Sequence, residues 1–477
     1  MHSNPLVTVY IACHNYGKYL TQCVDSVFAQ LYDHWELIIV DDASRDDTHA
    51  VAERLRERAP ERIRVLRNET PTGLQKVANT VLGLAAGKYV MRLDADDWLD
   101  EGALLLMVAK LEAEPNCGMV YGNYYYTDPE GRVLGIERRQ KLGVEDTAGH
   151  LPPHGACTMV RTRALKAAGG YSEEINAQDG WELWFKLFNR VGAASLDAPV
   201  FYYRQHQTSL SRDANRLLQA RSKIFARAGN ALESSYNPSC LAVIGVRESY
   251  PGFEGVPYRM FEGVTLLERA ILSAAKASKV TRVLVSSGSE RVLDFAARLE
   301  REGRVPAHQR LLRAEANVPG TVPMREIMIH ASDHEHQVHG RYPDVVAFLS
   351  LHAVRRNHNH VNDALNMLRI TQSDSVVSVQ EEREPIFSHG TEGLALLNPG
   401  RLQDLAYDRE RLYRFNGAML AVWYETLATD SLLGQKIAYV EMSASDSLQI
   451  KGDSPLAPLH PSAAPALTDA KRSGSVL

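Results

Sequence analysis

A chain of 477 residues is about three times as long as a common single domain, so two or three compact units are expected. Hydrophobic residues make up 45% and charged residues 23%, which excludes a chain that is disordered throughout. The 53 Lys and Arg stand against 58 Asp and Glu, a formal charge of -5, so no overall electrostatic footprint for nucleic acid exists.

Val7–Ala12 reads as the first strand and Tyr19–Gln30 as an amphipathic helix. Glu36–Val40 (strand), Asp47–Arg58 (charged helix), Ile63–Arg67 (strand), Leu74–Ala85 (helix) and Tyr89–Leu93 (strand) continue the alternation, followed by a helix over Gly102–Ala113 and a strand over Cys117–Tyr121. Short continuous apolar strands joined by helices predict an α/β fold with a mostly parallel sheet covered on both faces. A helical pattern through Leu217–Ala228 then runs into the turn-rich joint Glu233–Ser239, and a new buried-strand pattern starts at Cys240. The second unit predicts strands Leu241–Val246, Arg282–Ser286, Val345–Leu351 and Ser375–Gln380, with helices Thr265–Ala275, Ser289–Glu302, Arg325–His334 and Asn359–Thr371. The expected division is 1–235, 236–454 and a disordered, Pro- and Ala-rich tail over 455–477.

The five cysteines, Cys13, Cys23, Cys117, Cys157 and Cys240, lack close metal-ligand spacing, and their odd number speaks against a disulfide framework. The apolar run Leu6–Cys13 is cut by His14 and Asn15 and is too short for an export signal. No apolar stretch approaches the ~20 residues that cross a bilayer. The expected location is the cytoplasm, with peripheral contact at the inner face of the membrane left open.

In a sheet of this kind ligands bind beyond the carboxyl ends of the strands. Three polar clusters fall there: His14-Asn15, Asp41-Asp42 and Asp94-Ala-Asp-Asp97. Three carboxylates in four residues repel one another unless a cation, backbone amides or solvent relieve them. Such oxygens suit Mg²⁺ or Mn²⁺ held together with substrate phosphates, and equally the cap of the helix that follows Asp100.

The segments Val9–Leu20, Leu37-Ile-Ile-Val-Asp-Asp-Ala-Ser-Arg-Asp-Asp-Thr48 and Ala86-Gly-Lys-Tyr-Val-Met-Arg-Leu-Asp-Ala-Asp-Asp97 resemble, in order and spacing, the family 2 glycosyltransferases, over roughly residues 5–212. The resemblance implies a GT-A fold, a nucleotide-diphosphate sugar donor (a UDP-sugar by default) and a Mn²⁺ or Mg²⁺ cofactor. It implies that Asp41 holds the base with Asp42 close by, that Asp94 and Asp96 form the Asp-x-Asp element, and that Asp96 and Asp97 lie nearest the diphosphate and its metal. Asn79 falls where the family supports the nucleotide loop, and Lys76 is a phosphate candidate. Gly155–Arg161, Gly169–Glu174 and Gln178-Asp-Gly-Trp-Glu-Leu-Trp184 resemble the acceptor half, in which the second of two acids opening a helix is the general base. Here the first position is Gln178, and Asp179 remains.

That departure keeps the base and removes a charge beside it, which makes Asp179 a weaker base unless burial raises its pKa. An N-cap for the helix Trp181–Asn189 is the structural reading of the same residue. One base and one metal, with no covalent nucleophile, imply single displacement with inversion. Trp181 and Trp184 read as packing in preference to sugar stacking. Tyr202-Tyr-Arg-Gln-His206 resembles a segment that closes the family's site, so Arg204 and His206 are candidate diphosphate contacts or a surface turn.

The second unit resembles the cytidylyltransferases that activate nonulosonic acids, with degraded motifs. Arg247 and Arg259 fit the two basic positions for triphosphate, but the loop between them is long and carries Glu248 and Glu254. Ser350, His352, Ala353 and Val354 replace the nucleotide loop while Arg355 or Arg356 remains, and Asn416 is the best retained sugar-binding residue. Gln449 and Lys451 stand where metal-binding carboxylates belong, and a lysine repels the cation it should hold. The resemblance therefore implies a non-catalytic unit for assembly or acceptor recognition, with Pro385–Leu412 reaching a second copy in a homodimer. The His pairs at His334/His336 and His358/His360 lack the partners of a closed zinc site. The function expected is inverting sugar transfer to a hydroxyl of a bacterial surface-glycan, lipid-linked or protein acceptor. The alternatives are a bifunctional enzyme with an active cytidylyltransferase unit, and a non-enzymatic carbohydrate-binding scaffold.

Overall fold

The computed structural model describes residues 4–138, 154–206, 214–232, 237–250, 253–313, 323–382, 384–390, 393–397 and 412–450. The expected tail over 455–477, Lys451, and residues 233–236 of the expected joint lie outside these described residues.

The first seven elements alternate as the apolar pattern requires: β1 (Val7–Cys13), α1 (Gly17–Phe28), β2 (Trp35–Asp41), α2 (Thr48–Arg56), β3 (Ile63–Arg67), α3 (Leu74–Leu84) and β4 (Tyr89–Arg92). Strands β3, β2, β1 and β4 lie side by side in parallel. Next come β5 (Trp98–Leu99), α4 (Ala103–Ala113), β6 (Met119–Thr127), β7 (Val133–Glu137), β8 (Met159–Arg161), α5 (Thr162–Ala167), α6 (Asp179–Val191), β9 (Ala193–Arg204) and α7 (Ala214–Ala231). The full order is β3-β2-β1-β4-β8-β6-β9-β5, with β7 on β6. Strand β8 runs antiparallel to both β4 and β6, so the sheet is mixed where a mostly parallel one was expected. The physical reason is that direction follows from the path of the connection, which an apolar run does not encode.

The second sheet uses β10 (Cys240–Val246), α8 (Leu266–Ala275), β13 (Arg282–Ser287), α9 (Glu290–Arg301), β14 (Gln309–Leu312), α10 (Met324–His339), β15 (Val345–Leu349), α11 (His358–Ile370), β16 (Ser375–Glu382), β19 (Leu412–Trp423) and β20 (Ile437–Glu441). Small hairpins β11 (Met260–Phe261) with β12 (Val264–Thr265), and β17 (Phe387–Gly390) with β18 (Gly393–Leu396), stand apart from it. Its order is β14-β13-β10-β15-β19-β16-β20, and β19 is antiparallel to both neighbours, so this sheet too is mixed.

The two sheets do not have fully separate cores. Ile175, Trp181, Ile224 and Phe225, all from the first half of the chain, belong to one buried apolar cluster with Ala242, Leu368 and Val440 of the second. Helix α7 packs along α11, where Ser222 Oγ donates to Asp363 Oδ1 at 2.9 Å. Trp184 is fully buried against Tyr121 and Phe188, and Trp181 packs on Phe185 and Phe225, so both tryptophans serve packing.

Burial pushes the Asp363 carboxyl up to about 7, opposed only in part by the Ser222 hydroxyl and the Arg221 charge. In the unfolded chain an aspartate titrates at about 3.9. The folded state then binds the proton more tightly, so this group makes stability fall as pH rises from about 4 to about 7 and keeps it reduced above that. Asp363→Asn should therefore gain stability relative to the parent chain between pH 5 and pH 8, measured by urea unfolding at each pH. An unchanged pH slope would rule Asp363 out as the group responsible.

Candidate active site

The carboxyl ends of β1, β2 and β4 bring His14-Asn15, Asp41-Asp42 and Asp94–Asp97 to one rim, as the sequence order implies. Of the seven non-glycine residues with left-handed backbone among the described residues, four flank this rim: Asn15, Ala43, Cys157 and Gln178. Backbone in that region costs of order 1–3 kcal/mol per residue and persists only where the surroundings enforce it, which marks the rim as a constrained site.

Asp41 closes β2 and is fully buried. Its Oδ1 accepts from the Ser44 amide at 2.8 Å, while Oδ2 lies 3.5 Å from Arg67 Nε and 3.8 Å from His49 Nδ1 without a hydrogen bond. Asp42 is already engaged. Its carboxylate accepts from Asn68 Nδ2 (2.7 Å), the Thr72 amide (2.8 Å), the Thr72 hydroxyl (3.0 Å) and the Gly73 amide (2.9 Å). Burial alone would raise this carboxyl, but those donors hold it below the ordinary aspartate range. Asp42 thus ties the loop leading into α3 to the end of β2.

The third cluster is organised by a residue to which the sequence reading gave no role. Arg92, the last residue of β4, is 5% exposed. Its Nε lies 2.8 Å from Asp94 Oδ1, and its Nη1 donates to Asp179 Oδ2 at the first turn of α6. One guanidinium therefore joins the Asp-rich loop to the helix on the acceptor side. Gly155 presses against the Asp179 carboxylate so closely that a Cβ there would collide with it, which fixes the choice of glycine. The Arg92 carbonyl also accepts from the Cys157 amide at 2.7 Å. Burial raises the Asp94 carboxyl to about 6 despite Arg92, with the charges of Asp96 and Asp179 adding to the rise. A buried arginine in an otherwise apolar strand is the signal that could have revealed this: Tyr-Val-Met-Arg-Leu demands a partner for its one charge.

The other two acids divide their tasks. Asp97 is 1% exposed, and its Oδ1 accepts from the Arg204 amide at 2.9 Å. Burial, with the charges of Asp96 and Asp94, pushes its carboxyl well above the usual range. Asp97 therefore braces the loop through Oδ1, while its Oδ2 is buried without a hydrogen-bond partner, the kind of oxygen a bound cation would satisfy. Asp96 keeps partial access to solvent, and its Oδ2 lies 2.8 Å from His206 Nε2, whose ring stacks on Tyr19. A hard cation with substrate phosphates needs only one or two protein carboxylates, so the partly accessible Asp96 carboxylate fits Mn²⁺ or Mg²⁺. Among the described residues no group of three His, Cys, Asp or Glu side chains converges as a ready-made metal site.

Arg204 is put to another use than the expected diphosphate contact. Its Nε donates to the Asp96 carbonyl (2.8 Å), Nη1 to the Pro129 carbonyl (2.6 Å) and Nη2 to Gln22 Oε1 (2.6 Å), and it lies between the rings of Tyr19 and Trp98. With every nitrogen engaged it clamps the Asp-rich loop from below. Asn79 likewise faces the acceptor side, exchanging hydrogen bonds with the Tyr171 backbone (Nδ2 to O, 2.9 Å; N to Oδ1, 2.8 Å) where a role at the nucleotide loop was expected. Lys76 lies on the exposed face of α3.

With this geometry in view, residues 8–169 match the family described as Glycosyl transferase family 2. The protein named "Putative glycosyltransferase EpsE" of Bacillus subtilis is 36% identical over 192 residues, which cover 39% of this chain and 68% of that protein. The chain belongs to glycosyltransferase family 2. Chondroitin synthase of Escherichia coli is 29% identical over 189 residues, 38% of this chain; the matched part spans about a quarter (26%) of that protein's length. The Escherichia coli UDP-Glc:alpha-D-GlcNAc-diphosphoundecaprenol beta-1,3-glucosyltransferase WfgD is 26% identical over 247 residues, 51% of this chain and 94% of that protein.

The glycosyltransferase motifs thus occupy the first sheet. In the second sheet the polar residues singled out by sequence are turned inward. Asn416 accepts from Ser378 Oγ (2.6 Å) and donates to Ser447 Oγ (2.9 Å), and Gln449 Nε2 donates to the Asn416 carbonyl. Arg356 is buried and donates to the carbonyls of Ser350 (2.6 Å) and Ala418 (2.9 Å), while His352 Nδ1 lies 2.9 Å from the Ile450 carbonyl. Arg355 faces Glu262 at 3.5 Å. These contacts hold loops together.

Proposed function

We propose that the chain is an inverting, metal-dependent glycosyltransferase that moves a sugar from a nucleotide-diphosphate donor to an acceptor hydroxyl. The observation that carries this reading is the double engagement of Arg92, which sets Asp179 opposite the Asp94–Asp97 loop across one cleft rim. Asp41 is proposed to receive the base. Asp179 is proposed as general base: Arg92 occupies its Oδ2 and orients it, so that Oδ1 can accept the proton of the acceptor hydroxyl as that oxygen attacks the anomeric carbon. The C1–O bond to the diphosphate breaks as the new C1–O bond forms on the opposite face, which inverts the centre. Asp96 with His206 would hold Mn²⁺ or Mg²⁺, which when bound neutralises the charge growing on the leaving diphosphate. Arg204 and Asp97 keep that loop rigid.

A UDP-sugar is the proposed donor and a glycan or lipid-linked hydroxyl of a bacterial surface polymer the proposed acceptor, in line with the UDP-Glc donor and diphosphoundecaprenol acceptor in the name of WfgD. No helix among the described residues is long and apolar enough to cross a membrane. The second unit is proposed as a non-catalytic element that also carries self-association. Its hairpin β17–β18 exposes Phe387 and Leu394, with Leu397 just beyond, an apolar edge that a second copy could cover. Sedimentation of the full chain over a range of concentration tests this; a monomer throughout would exclude it.

Titration of a panel of UDP-, GDP-, dTDP- and CMP-sugars with and without Mn²⁺ tests the donor reading. The expected result is metal-dependent binding of a UDP-sugar that Asp96→Ala weakens by about 10-fold or more, the scale of losing one charged contact. Equal binding of donor by the parent and Asp96→Ala chains, or no effect of Mn²⁺, would overturn the metal assignment.

A further inference from the structure

Gln178 stands where the family resemblance calls for an acid. It is the residue before α6, and its backbone is left-handed at φ 61°. Its side-chain Oε1 accepts from Arg221 Nε at 3.3 Å and from Nη2 at 3.2 Å. The remaining terminal nitrogen of that guanidinium, Nη1, donates to Glu441 Oε2 at 2.7 Å. The guanidinium also lies 4.9 Å from the ring centre of Trp181, two residues beyond Asp179. Glu441 is the last residue of β20, at the edge of the second sheet, whereas Arg221 is on α7. Three side chains thus connect the second sheet to the peptide that carries Asp179.

A left-handed glutamine does not hold itself in place; the strain lasts only where neighbouring contacts enforce it. Here the Gln178 carbonyl accepts from the Trp181 amide at 2.9 Å, and its side chain is held by Arg221, which is oriented from its far side by Glu441. The neutral amide at 178 matters for the same reason. A carboxylate there would compete with Glu441 for one guanidinium, while an amide accepts two hydrogen bonds and leaves the Arg221–Glu441 ion pair intact.

We infer that Arg221 and Glu441 are positioning residues for Asp179, so that the second sheet sets the geometry of the general base through Gln178. The inference rests on the proposed role of Asp179 and gives the second unit a part in transfer that requires no chemistry of its own. Full-length Glu441→Gln and Arg221→Lys chains test it. Donor affinity, measured by calorimetry with a UDP-sugar and Mn²⁺, should stay within about twofold of the parent. The kcat for transfer should fall about 10-fold, because small misplacements of a reacting group carry penalties of that order or more. Independently of turnover, amide hydrogen exchange across residues 174–184 should quicken.

The charge-reversed pair Arg221→Glu with Glu441→Arg restores the ion pair, and the Gln178 amide can turn to donate to the new carboxylate. It should recover most of the rate that Arg221→Glu alone loses. Unchanged kcat and unchanged exchange in the single variants would overturn the inference, as would a loss of kcat that the reversed pair fails to recover. A parent chain that binds donor but transfers no sugar would sink the role of Asp179 instead. In that case the exchange measurement still decides whether Glu441 holds the segment.

Discussion

Asp179→Asn should lower the transfer rate by about 10²- to 10⁴-fold, the contribution typical of a positioned general base, while donor binding stays close to that of the parent chain. Asparagine has the same shape and can still accept from Arg92, so α6 keeps its start and the variant folds. What is lost is an oxygen able to take the acceptor's proton. The measurement pairs steady-state transfer, using the donor identified by titration, with calorimetric donor affinity. A rate unchanged by this substitution would remove Asp179 from the mechanism; a loss of donor affinity equal to the loss of rate would assign it to binding instead.

The second large effect is on stability. Arg92 is almost wholly buried and faces Asp94 and Asp179, so Arg92→Met strands two carboxylates without their cation. Breaking a buried pair from one side costs about 3–5 kcal/mol, which for a domain of this size corresponds to a fall in thermal midpoint on the order of 10 °C. The loss comes mostly from the acids left behind. Arg92→Met combined with Asp179→Asn should therefore be less damaging than the sum of the two single changes, since the substituted amide needs no counter-charge. Arg92→Lys should fall between, because one ammonium cannot reach both acids as a planar fork does. Midpoints for the four chains by differential scanning calorimetry decide this. A fully additive double variant would show that Arg92 and Asp179 do not interact.

Much of the first sheet was legible from residue pattern alone. Strands such as Leu37–Val40 are apolar on both faces, and helices such as α1 bury one stripe, so their type follows from which residues must leave water. The register of β1, β2 and β4 then carries His14, Asp41 and Asp94 to the same end. Strands β8 and β9 were not legible in direction or position. Three residues in β8 carry too little pattern, and its antiparallel run depends on where the preceding connection delivers the chain.

Assignment of tasks among the acids followed the same division. Asp41, Asp42, Asp94, Asp96 and Asp97 look alike in sequence, each a carboxylate at a strand end. Asp42 is satisfied by a loop that returns from residues 68–73, Asp97 is held on one oxygen by the backbone of Arg204 more than a hundred residues later, and Asp94 faces Arg92. Asp94 and Asp96 both keep partly accessible side chains, and Asp96's neighbour His206 comes from just past the end of β9.

The sequence by itself determined that acids gather at the carboxyl ends of parallel strands in the first half, and that a second run of alternating strands and helices starts at Cys240. Those are matters of residue type and local spacing. Which acids hold loops, which stay partly accessible, and that Gln178 touches Arg221 and through it Glu441, only the tertiary structure decided. The physical reason is that a carboxylate's role depends on the donors and burial around it, and here those donors are supplied by segments far away in the chain.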